Sequence, residues 1–311
     1  LGQLKAPYPP TCTLFGFETT EFDQGRFEEI AYRYASEHIE SSSIARHSKT
    51  LVHQWLRNFP KLLRWRSVTT LADCLNGRDC LVVSPGPSLD ESIDALKPLA
   101  AAFFIIASFR STATLLENDI VPDAMVWADP GEFSNLIPKD HRLRLVPLII
   151  NEACHFEVLL KAEQIFSEIF IMPEARLSGC SLASTLHNEN RIEFTGLGVA
   201  SISTVMAHFL GAKSVTLLGQ DLSVGNAAYA SGAGPVALSK ERAQRLIPCQ
   251  AIDGGFTNTL PDYLAFIEEF RLIAIHLGGD VTFINSTSRG AFIEGWDHLP
   301  LSEHPLVDEQ K

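Results

Sequence analysis

Asp79-Cys-Leu-Val-Val-Ser-Pro-Gly-Pro-Ser-Leu-Asp90 joins an apolar run to a helical pattern through a turn of small residues and prolines. The apolar run predicts a buried strand, and the helix is predicted to open at Ser88. Ser88 and Glu91 have the spacing of a capping box, which makes Ser88 the predicted N-cap. Gly86 would let the backbone approach a ligand, and the N–H groups of a first helical turn bind anions. The stretch therefore predicts a phosphate site, although an ordinary strand-to-helix turn of an α/β protein fits the same spacing.

Strand and helix patterns alternate along the rest of the chain. Several of the predicted strands are apolar at nearly every residue, as are strands buried on both faces of a parallel sheet. Alternation of this kind implies right-handed crossovers. The expected fold is α/β, an open, mostly parallel, Rossmann-like doubly wound sheet. The predicted strands are Cys80–Ser84, Phe103–Ala107, Ala124–Ala128, Leu145–Ile150, Ile169–Met172, Ser214–Gly219 and Val281–Asn285, and the predicted helices are Leu89–Leu96, Thr112–Asn118, Phe156–Ala162, Ala200–Leu210 and Pro261–Leu277.

The N-terminal part of the chain has a different pattern. Both Glu28–Ile39 and Leu51–Phe59 space apolar residues at three and four, which is typical of helices. We therefore expect a helical N-terminal attachment over residues 1–75, a Rossmann-like domain over 76–301 and a tail over 302–311.

Ligands of doubly wound sheets bind beyond the carboxyl ends of the strands. Polar and small residues that follow the predicted strands are therefore candidates for one shared site. The turn at Thr195-Gly196 also precedes a predicted helix, but it lacks two residues of the dinucleotide fingerprint. The candidate binding residues are Ser84, Gly86, Pro87, Ser88, Ser108, Asp129, Thr195, Gly196, Gly219 and Asp221.

Three of the polar candidates have a second interpretation. Asp129 stands before Pro130-Gly131, so it could simply form a turn, and Asp221 could cap a following turn. His155 follows a predicted strand and could be a general base, whereas a histidine at the start of a helix is often structural.

Composition excludes several classes of function. A formal net charge of −12 argues against non-specific binding to nucleic acid or to anionic membranes. Apolar runs stay short of the roughly 18 residues of a membrane span. The sequence has no phosphate-binding GxxxxGK[ST] loop, no HExxH and no DxD pair, so neither a P-loop enzyme nor a metal site is expected. The six cysteines form no CxxC pair, which favours reduced thiols and a cytoplasmic location.

Four stretches in the same order resemble the central domain of bacterial motility accessory factors. The resemblance covers about Asn58 to Leu301 and implies transfer of nonulosonic acids, such as pseudaminic or legionaminic acid, to flagellin. The same domain family includes archaeal 6-hydroxymethylpterin diphosphokinases, which implies ATP-dependent diphosphoryl transfer as the alternative. The four stretches are Val82–Leu89, Pro122–Pro130, Gly211–Leu222 and Phe283–Gly295.

A more distant similarity links the chain to bacterial sialyltransferases that use CMP-sugars. Ser84–Leu89 stands where those enzymes have Gly-Asn-Gly-Pro-Ser-Leu, and Thr195-Gly196 and Gly219-Gln-Asp221 resemble two later motifs. The resemblance implies that Gly86, Pro87 and Ser88 contact the CMP phosphate, that Asp221 contacts a ribose hydroxyl and that Asp129 meets the donor sugar. CMP leaves with a single phosphate, so helix N-terminal N–H groups and hydroxyls could stabilise it without a divalent ion or cofactor.

The chain departs from the sialyltransferases at their catalytic histidine. Gly254–Thr259 occupies that position and contains no histidine. We therefore expect Asp129 or His155 to act as base, with a CMP-activated sugar as donor and Ser or Thr hydroxyls of flagellin as acceptors. Proton loss late in a dissociative step and a non-catalytic, flagellin-binding role both remain open.

Overall fold

A computed structural model describes residues 49–173, 198–225, 229–233 and 240–309. Within these ranges nine parallel strands form one sheet, and a separate antiparallel hairpin stands apart from it. The sheet strands are β1 (Arg66–Ser67), β2 (Asp79–Val83), β3 (Phe104–Ala107), β4 (Ala124–Trp127), β5 (Leu148–Asn151), β6 (Ile169–Met172), β7 (Ser214–Leu218), β10 (Thr282–Asn285) and β11 (Asp297–His298), and the hairpin consists of β8 (Ile247–Gln250) and β9 (Phe256–Thr259).

The order of the strands is that of a doubly wound sheet. The chain runs outward from β2 through β3, β4, β5 and β6, returns to place β7 on the other side of β2, and continues to β10 and β11. β2 and β7 are therefore neighbours from which the chain departs in opposite directions. A crevice at the carboxyl ends of such a pair is the usual ligand site of open α/β sheets. The predicted fold class is confirmed.

Helices cover both faces of the sheet. α2 (Ser88–Leu99), α3 (Phe109–Glu117) and α4 (Phe156–Ile165) pack on one face, and α5 (Val199–Phe209) and α7 (Pro261–Leu277) pack on the other. The residues of β2 show this arrangement, since Leu81 and Val83 contact the first layer while Cys80 and Val82 contact the second. The helices are α1 (residues 49–62), α2 (Ser88–Leu99), α3 (Phe109–Glu117), α4 (Phe156–Ile165), α5 (Val199–Phe209), α6 (Lys240–Ala243), α7 (Pro261–Leu277) and α8 (Leu306–Glu309).

All seven predicted strands and the five helices predicted with them are present, with differences at their ends. Of the two helical patterns in the N-terminal part, Leu51–Phe59 is helical and Glu28–Ile39 lies outside the described residues. The strand predicted from Leu145 begins at Leu148, because His141–Leu145 forms a 3₁₀ helix that leaves the Leu145 side chain exposed. The helix predicted to begin at Thr112 begins three residues earlier, at Phe109, because Ser108 is its N-cap. Pro261–Leu277 is helical over its predicted range.

The part of the N-terminal region that the structure describes packs against the sheet. In α1, Leu51, Trp55 and Leu62 are buried against Ala153 and Ile171 of the sheet region. The following strand β1 extends the sheet by pairing with β6. None of the described helices has both the length and the apolar character that a membrane span requires.

Candidate functional site

A cavity of about 390 Å³ lies at the carboxyl ends of the central strands. The turns after β2, β3, β4 and β7 all contribute to its wall, as does the first turn of α5. The cavity therefore occupies the position where β2 and β7 diverge. Its size is within the usual range of small-ligand pockets. Seven of the ten predicted binding residues line it: Ser84, Gly86, Pro87, Ser108, Asp129, Gly219 and Asp221.

Two glycines pack the turns after β2 and β7 against each other. Gly86 N–H donates to Gly219 O at an N···O distance of 2.8 Å. A Cβ on Gly86 would stand 2.3 Å from that same oxygen and 2.6 Å from Asp221 Oδ1. Gly219 has a φ of +73°, and a Cβ there would stand 2.3 Å from Ser84 O. The structure therefore gives both glycines a role in the close contact between the two turns.

Asp221 closes the N-terminus of α2. The Ser88 backbone N–H donates to Asp221 Oδ2 at 3.1 Å, and the Ser88 hydroxyl donates to Oδ1. Burial raises the pKa of the Asp221 carboxyl, while the two Ser88 hydrogen bonds act in the opposite direction. The N-terminus of α2 is therefore capped by a carboxylate from a residue that is distant in the sequence.

The prediction that Ser88 is the N-cap, in a capping box with Glu91, is wrong. Pro87 occupies the flanking position, and Ser88 is the fully buried first residue of the helix. Glu91 instead accepts a hydrogen bond from Ser288 at 2.8 Å and pairs with Arg289 at 3.0 Å. An anion at this turn would lie beside the Asp221 carboxylate, so contact of Gly86, Pro87 and Ser88 with a phosphate stays a prediction.

Ser108 and Asp129 lie at the cavity with their side chains in local hydrogen bonds. Ser108 caps α3, where its hydroxyl and that of Ser111 each accept from the other's backbone N–H. Asp129 Oδ1 accepts from Gly131 N–H at 2.7 Å, which is the turn-forming role considered above. Because Asp129 also lines the cavity, the turn and a role toward a ligand are compatible.

His155 lies apart from these residues. It caps α4, with Nδ1 accepting from Glu157 N–H at 3.3 Å, and it is not part of the cavity wall. The structure thus shows His155 as a helix cap outside the cavity wall, and its role as a base stays a prediction. Thr195 and Gly196 lie outside the described residues. No group of three or more His, Cys, Asp or Glu residues with the closeness of a metal site occurs in the described ranges.

Sequence reasoning missed the cation and the aromatic residues of the cavity. The Arg110 guanidinium lies 4.9 Å from the centroid of the Tyr229 ring. Trp127 stacks on Phe109 with centroids 4.4 Å apart, and Tyr263 and Phe266 line the wall from α7. Arg110 lies three residues after a predicted strand, so its position near a strand end was a signal in the sequence. The α7 aromatics have the spacing of core residues, which gives no indication of a cavity.

A second, more open hollow of about 590 Å³ lies at the opposite end of the strands. Arg78 and Asp123, which flank the amino ends of β2 and β4, contribute to it. Ligands of doubly wound sheets bind at the carboxyl ends, so the smaller cavity is the better candidate site.

Comparison with known proteins agrees with the fold and with the motif resemblance. No curated protein sequence matches the chain. A solved structure, the MAf glycosyltransferase from Magnetospirillum magneticum AMB-1, is similar in fold with a TM-score of 0.57 and 18% sequence identity. The similarity covers 73% of this chain but only 34% of that one, so the chain spans about a third of that protein's length.

The sequence profile of a family described as 6-hydroxymethylpterin diphosphokinase MptE-like matches residues 53–227. This match covers more than half of the chain and includes the turns after β2, β3, β4 and β7. The domain family expected from the four sequence motifs is confirmed, and the chain belongs to the 6-hydroxymethylpterin diphosphokinase MptE-like family.

Proposed function

We propose that this protein is a glycosyltransferase that moves a nonulosonic acid from a CMP-donor to Ser or Thr hydroxyls of flagellin. The observation that carries the proposal is the cavity at the divergence of β2 and β7, which combines polar strand-end turns with an aromatic wall. The fold of the chain resembles that of a MAf glycosyltransferase, and its sequence motifs resemble those of motility accessory factors. The choice of a nonulosonic acid as the sugar, of CMP as its carrier and of flagellin as the acceptor rests on the sequence resemblance.

The cavity offers each part of such a donor a suitable surface. Tyr263 and Phe266 provide aromatic rings on which a base can stack. Asp221, which lines the cavity from the turn after β7, is the proposed contact of a ribose hydroxyl. Asp129 lines it from the turn after β4, where the donor sugar is expected.

In the proposed reaction the acceptor hydroxyl oxygen forms a bond to the anomeric carbon of the donor. The bond from that carbon to the phosphate oxygen breaks, and CMP leaves with the electron pair. Of the two predicted bases, Asp129 lines the cavity and His155 does not, so we assign the acceptor proton to the Asp129 carboxylate. General-base catalysis of this kind contributes about 10²–10⁴-fold to a rate.

The family match favours one other candidate, diphosphoryl transfer from ATP to a pterin. That reaction requires Mg²⁺ beside the triphosphate, with Asp129 and Asp221 as the carboxylates of this cavity. Both Asp221 oxygens already accept hydrogen bonds from Ser88, so binding of a metal there would compete with the cap of α2. In the glycosyltransferase proposal a ribose hydroxyl donates to a remaining lone pair of the Asp221 carboxylate, which is compatible with this cap.

Thermal unfolding with CMP, UDP, ADP and ATP, each with and without Mg²⁺, separates the two candidates. We expect CMP to stabilise the protein without metal, by about 2.7 kcal/mol at one hundred times its dissociation constant. Stabilisation by ATP and Mg²⁺ alone would favour diphosphoryl transfer. Incubation with flagellin and a CMP-activated nonulosonic acid, followed by intact-mass measurement, then tests transfer directly.

A further inference from the structure

The N-termini of three helices reach the cavity, and they differ in charge. The first turn of α2 contains Asp90 and Glu91, and the Asp221 carboxylate caps its end. The first turns of α3 and α5 contain no acidic residue. A helix N-terminus carries a partial positive charge that nearby carboxylates offset. The N-termini of α3 and α5 are therefore more positive than the N-terminus of α2.

Arg110 adds a full charge at the N-terminus of α3. It is the second residue of α3, and among the described residues that line the cavity it is the only Lys or Arg. A cation in a first helical turn is unfavourable, because it meets the positive end of the helix dipole. The Tyr229 ring, 4.9 Å from the guanidinium, lies where it can hold Arg110 at the cavity.

Trp127 gives a second, independent indication of an anion site, because its side-chain N–H lacks a hydrogen-bond acceptor. It lines the same cavity and is only 4% exposed, and its Nε1 has no hydrogen-bond partner among the described residues. A buried N–H without a partner destabilises the fold, because it has lost its hydrogen bond to water. An oxyanion that reaches Trp127 from the cavity would supply the acceptor that this N–H lacks.

We infer that Arg110, in the first turn of α3, and Trp127, at the end of β4, form an oxyanion subsite that takes the phosphate of the nucleotide, in place of the turn after β2. This inference rests on the proposed function only in that the cavity binds a nucleoside phosphate. Tyr229 is a positioning residue, since it acts through Arg110. The arginine fork offers two parallel N–H groups to phosphate oxygens, and the α3 dipole adds to the attraction.

The test compares each nucleoside with its own monophosphate. Dissociation constants are measured by calorimetry for cytidine and CMP, and for the uridine, adenosine and guanosine pairs, on wild type and variants. We expect the phosphate to tighten binding at least about tenfold in wild type, and Arg110→Gln to remove that gain while nucleoside affinity stays unchanged. Arg110→Lys should retain part of the gain. Arg66→Gln, an exposed change on the edge strand β1, is the matched control and should bind as wild type does.

Two further variants separate the subsite from a general loss of structure. Trp127→Phe keeps an aromatic ring but replaces the larger indole, so it removes the N–H together with some core packing. Once thermal unfolding shows that the variant folds, it should weaken monophosphate binding several-fold relative to nucleoside binding. Tyr229→Phe should retain the gain from phosphate, and Tyr229→Ala should lower it, because only the second loses the ring over Arg110.

The outcomes distinguish this inference from the proposed function. If another base binds better than cytosine and Arg110→Gln still removes the gain from phosphate, the CMP-donor is wrong and the subsite is supported. If Arg110→Gln and Arg110→Lys keep the full gain, or if no pair shows a gain in wild type, the inference is overturned.

Discussion

Asp221 and Ser88 lie 133 positions apart in the chain, yet the Asp221 carboxylate accepts both the backbone N–H and the hydroxyl of Ser88. This pair joins the turn after β7 to the first residue of α2 at the point where the two strands diverge. It satisfies the helix N-terminus from within the protein. The pair also places a negative charge at the turn where the sequence predicts a phosphate.

Asp221→Asn should change how stability depends on pH. Burial raises the pKa of this carboxyl, so the folded protein holds the proton more tightly than the unfolded chain does. The resulting stabilisation is full below the ordinary Asp value and is lost as the pH rises through the raised folded value. We therefore expect the free energy of unfolding of Asp221→Asn, relative to wild type, to rise from acid to neutral pH.

Urea unfolding of both proteins across that pH range measures this difference. Asp94→Asn, an exposed carboxylate on α2, is the control and should show a much smaller change. A relative free energy that falls toward neutral pH would contradict the burial argument.

Gly86→Ala should destabilise the fold as well as alter the cavity. The new Cβ would meet Gly219 O at 2.3 Å and the Asp221 carboxylate at 2.6 Å, both in the turn that packs against it. Overpacking of this kind costs about 1–3 kcal/mol. Thermal unfolding without ligand measures the effect.

Gly279→Ala provides the comparison for this prediction, because a Cβ there would meet nothing within 4 Å. Gly86→Ala with the unfolding temperature of wild type, and with lost nucleotide binding, would instead support close approach of a phosphate to this turn.

Regular structure was predictable here because its cause lies in neighbouring residues. Ile169–Met172 is apolar at every position and forms a strand over its predicted range. Local patterns did not predict the partner of Ser88, because its hydroxyl donates to the distant Asp221 and not to the nearby Glu91. Tyr229 and Arg110 meet for the same reason, through pairing of segments far apart in the chain. The cavity follows from the strand order, whereas its cation and aromatic wall follow from contacts that no local pattern contains.

Asn58→Ala should show that α1 is part of the domain that holds the cavity. Asn58 Nδ2 donates to the backbone oxygens of Glu152 and Cys154, at 2.9 Å in each case, and the side chain is fully buried. The variant leaves two buried carbonyl groups without this donor, which should cost about 2 kcal/mol or more. His53→Ala, on the exposed side of the same helix, should cost little.

Urea unfolding monitored by both far-UV circular dichroism and tryptophan fluorescence measures the loss. Both signals should shift together for Asn58→Ala. A separate early transition, with the main one unchanged, would mean that α1 unfolds independently of the sheet.

Asp129→Asn and His155→Ala should have opposite effects on transfer and on stability. The amide oxygen of Asp129→Asn can still accept from Gly131 N–H, so the turn after β4 should survive while the carboxylate that lines the cavity is lost. Flagellin modification should fall by about 10² or more, with CMP affinity little changed. His155→Ala removes a cap of α4 outside the cavity, so it should lower stability by about 1 kcal/mol or less and leave modification intact.

Mass spectrometry of flagellin from cells carrying each variant measures transfer, and Glu132→Gln, an exposed carboxylate three residues from Asp129, is the matched control. Full modification with Asp129→Asn would remove Asp129 from the base role, and a loss with His155→Ala at unchanged stability would transfer that role to the histidine.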